Sequence, residues 1–375
     1  MFRHLSAAGM LLIPLGIYLY FIIRRSLKVL LKERGIWLQR GAAAAAAFLL
    51  TLPVRDIYSL GTALVLHFTV ISVIVDLVCL LLKRTGCTFR RGWNIAWRSG
   101  GAAAVITLGL IGYAYLNMHR VSVTEYTVST EKPIREEGYR LVFLSDLHFG
   151  TTMAQEKLAE YCARIEAEEP DLVVLDGDIV DESTSSEQVW QAFETLGKIQ
   201  STYGTYYIYG NHDKGKYSKD CDFTEEELSQ TIQKCGIRIL EDETAELNGE
   251  LSLSGRADRS DARMSGSKRK NPGKLLKDTP DSAFHILAEH QPRDMEKNEK
   301  AGYDLMLSGH THAGQLWPVG LITTLFDQDT VNYGEKRFGD MELIVSSGIA
   351  GWKYPLRTGK HCEFVVVNIE PAGKG

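Results

Sequence analysis

The side chains of this chain that could do chemistry are carboxylates, imidazoles and one amide, and each follows an apolar segment. They are Asp146, His148, Asp178, Asp181, Asn211, His212, His290, His310 and His312. Half of the ten histidines belong to this set. Oxygen and imidazole ligands suit borderline to hard divalent metals, and no thiolate contributes. The residue types therefore predict a divalent metal site rather than a structural zinc site.

The segments that precede these residues are typical of buried strands. YRLVFLSD (139–146) and DLVVLDGD (171–178) are apolar runs with polar ends. Capping-box signatures at Thr152, Ser185 and Thr224 predict helices between the strands. Alternating strands and helices indicate an α/β fold, in which ligand sites lie at the carboxyl ends of strands. The polar residues should therefore converge at one edge of a sheet.

Alternate positions on an extended strand end point in the same direction. Asp146 and His148 can therefore face one site together, and so can His310 and His312. Either pair alone is a weak signal, because such spacings are common. Several such pieces in order, each at the end of an apolar strand, are a strong signal of a shared metal site.

Five motifs carry a resemblance to a known family. They are SDLHFG (145–150), GDIVD (177–181), GNHD (210–213), AEHQP (288–292) and GHTHAGQ (309–315). In this order they resemble the calcineurin-like metallophosphoesterases, and most of all a membrane-associated bacterial branch with a GHTHGGQ-like final motif. The resemblance covers roughly residues 138–370. It implies a sandwich of two mixed β-sheets flanked by helices, with two divalent metal ions (Mn, Fe or Zn) at one edge.

The resemblance also implies a role for each motif residue. The ligands of one metal would be Asp146, His148, Asp178 and His312. The ligands of the second would be Asp178, Asn211, His290 and His310. Asp178 would thus bridge the two ions. His212 would face the substrate as the catalytic histidine, and Asp181 would orient it.

The sequence departs from the family pattern outside the metal ligands. Glu182 replaces the arginine that often follows GDxxD, which removes one possible phosphate contact. Glu289 precedes His290, and Ala313 replaces a glycine with little expected consequence for the ligands. Arg357 lies where related sequences carry an arginine after a proline. It is either a substrate contact or a surface arginine.

The implied reaction is metal-dependent hydrolysis of a phosphomonoester, phosphodiester or pyrophosphate. Two metals about 3.5–4 Å apart can share a bridging hydroxide and clamp the phosphoryl oxygens. Metal binding lowers the pKa of water toward neutrality, so the nucleophile exists at pH 7. His212 could protonate the leaving oxygen, and no phosphoenzyme is expected.

The charge distribution divides the chain near residue 120. Residues 1–120 carry 14 Lys and Arg against three acidic residues, a net charge of +11. The remaining residues carry 28 basic and 44 acidic residues, a net charge of -16. We therefore predict a membrane domain over 1–120 and the metallophosphoesterase domain over 121–375. The acidic larger part argues against a non-specific nucleic-acid binder, and no specific nucleic-acid partner is expected.

About four helices are predicted to span the membrane. The candidates are 7–23, 57–82, 99–118 and, more weakly, 36–54. A cleavable signal peptide is the alternative for the first of these. Eleven Lys and Arg lie in the loops 24–40 and 83–98, which the positive-inside rule places in the cytoplasm. The chain would then be a multi-pass cell-membrane protein with an extracytoplasmic catalytic domain, provided that 36–54 crosses.

Four other features have two interpretations each. Asp76 within an apolar span is either functional or paired with a basic neighbour. His67 is either a polar contact between helices, which is favoured, or a catalytic residue. The basic segment 256–277 is either a solvated mobile loop or a lid that attracts anions. The apolar segment 316–326 is either buried core or a rim against the membrane.

The substrate class follows from the reaction and from the membrane. The expected partners are a phosphorylated small molecule or a lipid headgroup, and a lipid-linked substrate is favoured because tethering makes headgroups locally abundant. A soluble nucleotide or cyclic nucleotide is the alternative within this class. A second hypothesis is not an enzyme: a membrane transporter or sensor whose C-terminal domain only binds metal or a phosphorylated ligand. Four membrane spans favour it, because an anchor requires fewer.

Overall fold

The chain forms two compact units. The computed structural model describes residues 2–31, 35–56, 58–327 and 329–373; for residues 2–11 it describes the backbone alone. The units are Met1–Tyr115 and Leu116–Gly375. Each is described by itself below.

The described residues of the first unit form helices joined by short turns. Its helices are α1 (Phe2–Leu31), α2 (Ile36–Thr51), α3 (Leu60–Arg84), α4 (Arg91–Arg98) and most of α5 (Gly101–Met118). Three described segments have the length and composition to cross a membrane: Ile36–Arg55, Leu60–Arg84 and Gly101–Met118. The weakest sequence candidate is thus among them. Side chains 7–11 of the first predicted span lie outside the described part.

The acidic residue of α3 is paired within this unit. The Asp76 carboxylate accepts hydrogen bonds from Arg25 Nη1 at 2.8 Å and Trp97 Nε1 at 2.7 Å. Tyr18 donates a third at 3.1 Å. The interpretation as an ion pair with a basic neighbour is therefore confirmed. The Nδ1 atom of His67 lies 2.7 Å from a carbonyl oxygen one turn earlier, so this polar contact is within α3 and not between helices.

The second unit contains twelve strands and seven further helices among its described residues. The strands are β1 (Val121–Thr130), β2 (Tyr139–Leu144), β3 (Leu172–Asp176), β4 (Thr205–Ile208), β5 (Arg238–Ile239), β6 (Glu243–Glu246), β7 (Leu251–Gly255), β8 (Phe284–Ala288), β9 (Leu305–Ser308), β10 (Gly334–Phe338), β11 (Met341–Val345) and β12 (Cys362–Pro371). The helices are α6 (Gln155–Glu166), α7 (Ser186–Leu196), α8 (Glu225–Lys234), α9 (Arg259–Ser265), α10 (Pro272–Leu275), α11 (Met295–Glu299) and α12 (Val319–Phe326).

The strands form two six-stranded mixed sheets. The first has the order β1-β12-β2-β3-β4-β5, and the second β10-β11-β9-β8-β7-β6. In the first, β2, β3, β4 and β5 run parallel, and β12 is antiparallel to β2. In the second, β7, β8, β9 and β11 run parallel, with antiparallel strands at both edges. The predicted pair of mixed sheets flanked by helices is confirmed.

Successive residues of the central strands face opposite sides. Leu141 and Phe143 of β2 pack in one core cluster with Ile286 of β8, so this cluster lies between the two sheets. Val142 and Leu144 belong to another cluster, which contains residues of α6 and α7. Because both faces of β2 are covered, its sequence is a continuous apolar run rather than an alternating one.

Several local predictions can be compared with these elements. Ser185 and Thr224 form the predicted capping boxes of α7 and α8. Thr152 caps no helix, since α6 begins at Gln155 after Ala154, which makes no side-chain cap. Strands β5, β6 and β10 were not predicted; they are short strands at sheet edges, and nearly all of their side chains are exposed or half-buried.

The basic segment 256–277 is ordered by one buried acid. Glu289, which is 2% exposed, accepts a hydrogen bond from Arg256 Nη1 at 2.7 Å and another from Arg269. The segment contains α9 and α10. The departure at Glu289 therefore anchors Arg256 and Arg269 of this segment, whereas residues 263–268 between them are exposed.

Candidate metal centre

Five strand ends bring the predicted site residues to one edge of the sandwich. Asp146 and His148 follow β2, Asp178 and Asp181 follow β3, and Asn211 and His212 follow β4; His290 follows β8, and His310 and His312 follow β9. Within each sheet these strands are parallel neighbours. Their carboxyl ends therefore meet at the same edge, which is where ligand sites form in such sheets.

The side chains form two groups with the composition of metal sites. The ligand-type atoms of Asp146, His148 and His312 lie within 4.8 Å of one another. Those of Asp178, His290 and His310 do the same. Each group offers one carboxylate and two imidazoles, which is a ligand set for borderline divalent ions.

Asp178 belongs to one group and also faces the other. Its Oδ2 atom is 3.1 Å from His290 Nε2 in one group and 3.8 Å from His148 Nε2 in the other. Burial opposes ionisation of this carboxyl, but the imidazoles of His290 and His212 hold its pKa well below the usual range. A single ionised carboxylate thus faces both groups.

The backbone at this edge is held in a costly conformation. Asp146, His148, Asp178, His310 and His312 all have positive φ, between 41° and 69°. Left-handed backbone costs an L-residue about 1–2 kcal/mol. Five such residues in one site indicate strain retained for a function.

Asp213 stabilises part of this strained backbone. Its buried carboxylate accepts hydrogen bonds from the backbone N–H groups of Asp178 at 2.7 Å, Ile179 at 2.9 Å and Gly210 at 2.6 Å. A side chain at position 210 would clash with the Asp178 carboxylate, so glycine is required there. The fourth residue of GNHD therefore shapes the loop that presents Asp178, a role that the sequence analysis did not assign.

The donor atoms of the two groups fit divalent cations. His148 Nε2 and Asn211 Oδ1 are buried and have no hydrogen-bond partner among the described residues. An unpaired buried polar atom is costly, and a cation would satisfy it. Burial, with a neighbouring imidazole, lowers the pKa of His310 to about 4 and that of His312 to about 3. Both are therefore neutral at pH 7, as metal ligation requires.

Comparisons with known proteins agree with this geometry. The family model for calcineurin-like phosphoesterases matches residues 139–314. An uncharacterized metallophosphoesterase of Helicobacter pylori is 30% identical over 270 residues, which is 70% of this chain and 69% of the relative. The chain belongs to the calcineurin-like phosphoesterase family. It is a metal-dependent phosphoesterase, and this family uses a dinuclear metal centre.

Other relatives of this phosphoesterase differ in length and source. An uncharacterized metallophosphoesterase of Aquifex aeolicus is 29% identical to this chain, and the match covers 72% of this chain and 99% of the relative. A zebrafish protein named transmembrane protein with metallophosphoesterase domain is 29% identical, covering 74% of this chain and 64% of its own. Among solved structures, a zebrafish dimetal phosphatase has a TM-score of 0.37 and 11% identity, covering 56% of this chain and 88% of its own.

The predicted role of Asp181 in this phosphoesterase is wrong. Asp181 Oδ2 lies 3.2 Å from His148 Nδ1, so it contacts a candidate metal ligand and not His212. The backbone N–H of Ser183 donates to Asp181 Oδ1 at 2.8 Å and fixes the carboxylate in the buried interior. A carboxylate behind a ligating imidazole sets its tautomer and orientation. Asp181 is therefore a positioning residue for His148.

His212 is paired instead with Glu182. Its Nδ1 atom lies 2.8 Å from Glu182 Oε1. Burial opposes protonation of His212, but the carboxylates of Asp178 and Glu182 outweigh it and raise the pKa of the imidazole above its usual value. The rings of Tyr217 and Trp352 lie 4.9 and 5.0 Å from the His212 ring. Glu182 was visible in the sequence only as a departure from the family pattern, and Trp352 gave no signal.

Arg357 is neither a substrate contact nor a surface residue. Its side chain is completely buried. The guanidinium donates to the carbonyl oxygens of His312 at 3.0 Å, Ser347 at 2.9 Å and Ala350 at 2.7 Å. It therefore holds the backbone of a candidate ligand, and the predicted substrate role is wrong.

The alanine in the last motif has a measurable cost. Ala313 has a φ of 50°, a left-handed value that favours glycine. Ala313→Gly should raise the free energy of unfolding by up to about 1 kcal/mol, because the relieved strain exceeds the added chain entropy. Thermal unfolding in detergent should show a rise in Tm of about 2–4 °C. A fall in Tm would mean that the alanine methyl group makes a contact worth more than the strain.

Proposed function

We propose that the second unit hydrolyses a lipid-linked phosphoester with two divalent metal ions. The proposed ligands are Asp146, His148, Asp178 and His312 for one ion and Asp178, Asn211, His290 and His310 for the other. The position of Asp178 between the two groups carries the proposal, since one carboxylate facing two ligand sets is the arrangement that a dinuclear centre requires.

The residues of the chain supply orientation and proton transfer. When bound, the two ions supply Lewis-acid stabilisation of the phosphoryl group and a nucleophile from water at neutral pH. His212 presents a proton to the leaving oxygen from Nε2, because Nδ1 is engaged by Glu182. The carboxylates of Asp178 and Glu182 raise the pKa of His212, which favours the protonated imidazole that a general acid requires. Asp181 and Arg357 position His148 and His312.

Membrane attachment supports the lipid-linked substrate. Among the described residues, three helices have the length and composition to cross a membrane, and some relatives are named transmembrane proteins. A tethered enzyme meets lipid headgroups at high local concentration. A soluble nucleotide is the competing substrate. A transporter or sensor that only binds ligand would not explain the His212–Glu182 pair.

Metal removal tests the reaction. The purified full chain in detergent should hydrolyse p-nitrophenyl phosphate or its bis-ester with Mn²⁺. EDTA should lower the rate at least about 100-fold, because activation of water and charge stabilisation are lost together. Added Mn²⁺ should restore the rate. Undiminished activity in EDTA would contradict the dinuclear mechanism.

A matched pair of substrates tests the lipid preference. Phosphatidic acid and glycerol 3-phosphate carry the same phosphomonoester with and without acyl chains. The proposal expects a higher kcat/KM for phosphatidic acid in nanodiscs. An equal or lower value would favour a soluble substrate while leaving the reaction class intact.

We also propose that residues 1–120 form a multi-pass membrane domain and that the catalytic unit is extracytoplasmic. The basic loops 24–40 and 83–98 support this orientation. Alkaline phosphatase fused after Gly375 should be active and sensitive to protease in intact spheroplasts. A fused green fluorescent protein that fluoresces and is protected from protease would place the catalytic unit in the cytoplasm, which requires one span fewer.

A further inference from the structure

Helix α12 exposes an apolar surface next to the metal centre. It begins seven residues after His312, contains no charged residue, and none of its residues is buried. Its exposed large apolar side chains are Val319, Leu321, Ile322, Leu325 and Phe326, with exposures between 50% and 83%. Trp317, just before the helix, is 44% exposed. A contiguous apolar surface of this kind marks an interaction site.

The end of the last membrane-capable helix contacts the loop beside α12. Asn117, near the end of α5 and within the second unit, donates from Nδ2 to the carbonyl oxygens of Arg357 at 3.1 Å and Gly359 at 3.2 Å. Met118 accepts a hydrogen bond from Cys362 Sγ at 3.3 Å. Residues 117–118 therefore contact residues 357–362 within the second unit.

The segment before α12 contacts the same loop. The backbone N–H of Trp317 donates to Thr358 Oγ1 at 2.6 Å, and the N–H of Thr358 donates to the carbonyl oxygen of Gln315 at 2.9 Å. Residues 357–359 are thus shared between the end of α5 and the start of the apolar helix. Within the second unit, residues 117–118 and the start of α12 therefore meet at one loop.

The charges of this loop suit anionic headgroups. Residues 351–361 contain Lys353, Arg357 and Lys360 but no acidic residue. Arg357 is buried, whereas the Lys353 and Lys360 ammonium groups lie 5.9 Å and 5.1 Å from the centres of aromatic rings. Basic and aromatic side chains beside an apolar helix are typical of segments that lie in the membrane interface.

The same loop borders the catalytic histidine. Gln315 accepts a hydrogen bond from the backbone N–H of Trp352 at 3.1 Å and donates to the carbonyl oxygen of Leu356 at 3.1 Å. The Trp352 ring lies 5.0 Å from the His212 ring. A membrane surface in contact with α12 would therefore also lie close to the metal centre.

We propose that α12 and Trp317 insert into the headgroup region of the phospholipid bilayer that holds α5. The metal centre then opens at the lipid surface, and headgroups reach it without leaving the membrane. This proposal depends on the membrane attachment given under Proposed function. It does not depend on the identity of the substrate.

Photo-crosslinking in the full chain tests the contact directly. The chain carries p-benzoylphenylalanine at Phe326 or, as a control, at Trp190, which is 46% exposed on α7. Both proteins are placed in phosphatidylethanolamine–phosphatidylglycerol nanodiscs and irradiated. Mass spectrometry should find phospholipid adducts at position 326 and not at 190. Absence of lipid adducts at 326, or cross-linked pairs of chains there, would overturn the proposal.

An activity measurement separates this proposal from the substrate proposal. Leu325→Asp should lower hydrolysis of phosphatidic acid in nanodiscs about tenfold or more and leave p-nitrophenyl phosphate hydrolysis within about twofold, because the charge opposes insertion. Trp190→Asp should change neither rate. Equal rates on phosphatidic acid for Leu325→Asp and the unaltered chain would contradict the insertion. If the unaltered chain hydrolyses only soluble esters, the substrate proposal fails and the cross-linking result still decides the insertion.

Discussion

Asp178→Asn is expected to abolish the dinuclear centre. The variant should bind fewer than two metal ions per chain and lose at least about 10³-fold in kcat, because the amide removes the negative charge that both ligand groups share. Asp178 Oδ2 is the carboxylate atom that faces His290 at 3.1 Å and His148 at 3.8 Å. Metal content by inductively coupled plasma mass spectrometry and the rate with p-nitrophenyl phosphate measure the two effects.

Asp176→Asn is the matched control for this substitution. Asp176 lies two residues earlier and is completely buried. Burial raises the pKa of its carboxyl well above the usual range, which favours the neutral form, so asparagine should change the charge less here than at Asp178. Metal content should stay at two ions in this control. Two ions and full activity in Asp178→Asn would refute the bridging assignment.

His212→Ala is expected to separate chemistry from metal binding. The variant should lower kcat by about 10²-fold or more, since general acid catalysis contributes about 10²–10⁴-fold. Both metal ions should remain, because His212 belongs to neither ligand group. Loss of metal from this variant would contradict its assignment as a proton donor.

Substitutions at the two neighbouring acids distinguish their roles. Glu182→Gln should lower kcat by roughly tenfold without loss of metal, because the imidazole keeps a hydrogen-bond partner but loses the adjacent charge. Asp181→Asn should weaken metal affinity by about 10–100-fold, because its carboxylate contacts His148 Nδ1. The reverse pattern would restore the original prediction that Asp181 orients His212.

The strand pattern and the motifs were enough to predict the two mixed sheets and to nominate the residues that converge. Buried parallel strands such as β2 and β3 are continuous apolar runs, and the side chains that follow them must lie at their carboxyl ends. The short strands β5 and β10 were not predicted, because two to five residues, most of them with exposed side chains, show little hydrophobic periodicity. Their pairing comes from neighbours in the sheet.

The sequence alone therefore determined which residues reach the metal edge, because an apolar strand and the polar residues that follow it are adjacent along the chain. Only the tertiary structure decided what surrounds them. The choice between Asp181 and Glu182 depends on the path of a loop in which the backbone N–H and the hydroxyl of Ser183 both donate to Asp181 Oδ1. Arg357 is buried because its carbonyl partners come from separate segments of the chain. These contacts join residues that are far apart along the chain, so no local sequence pattern predicts them. The burial of a side chain depends on which distant segments pack against it.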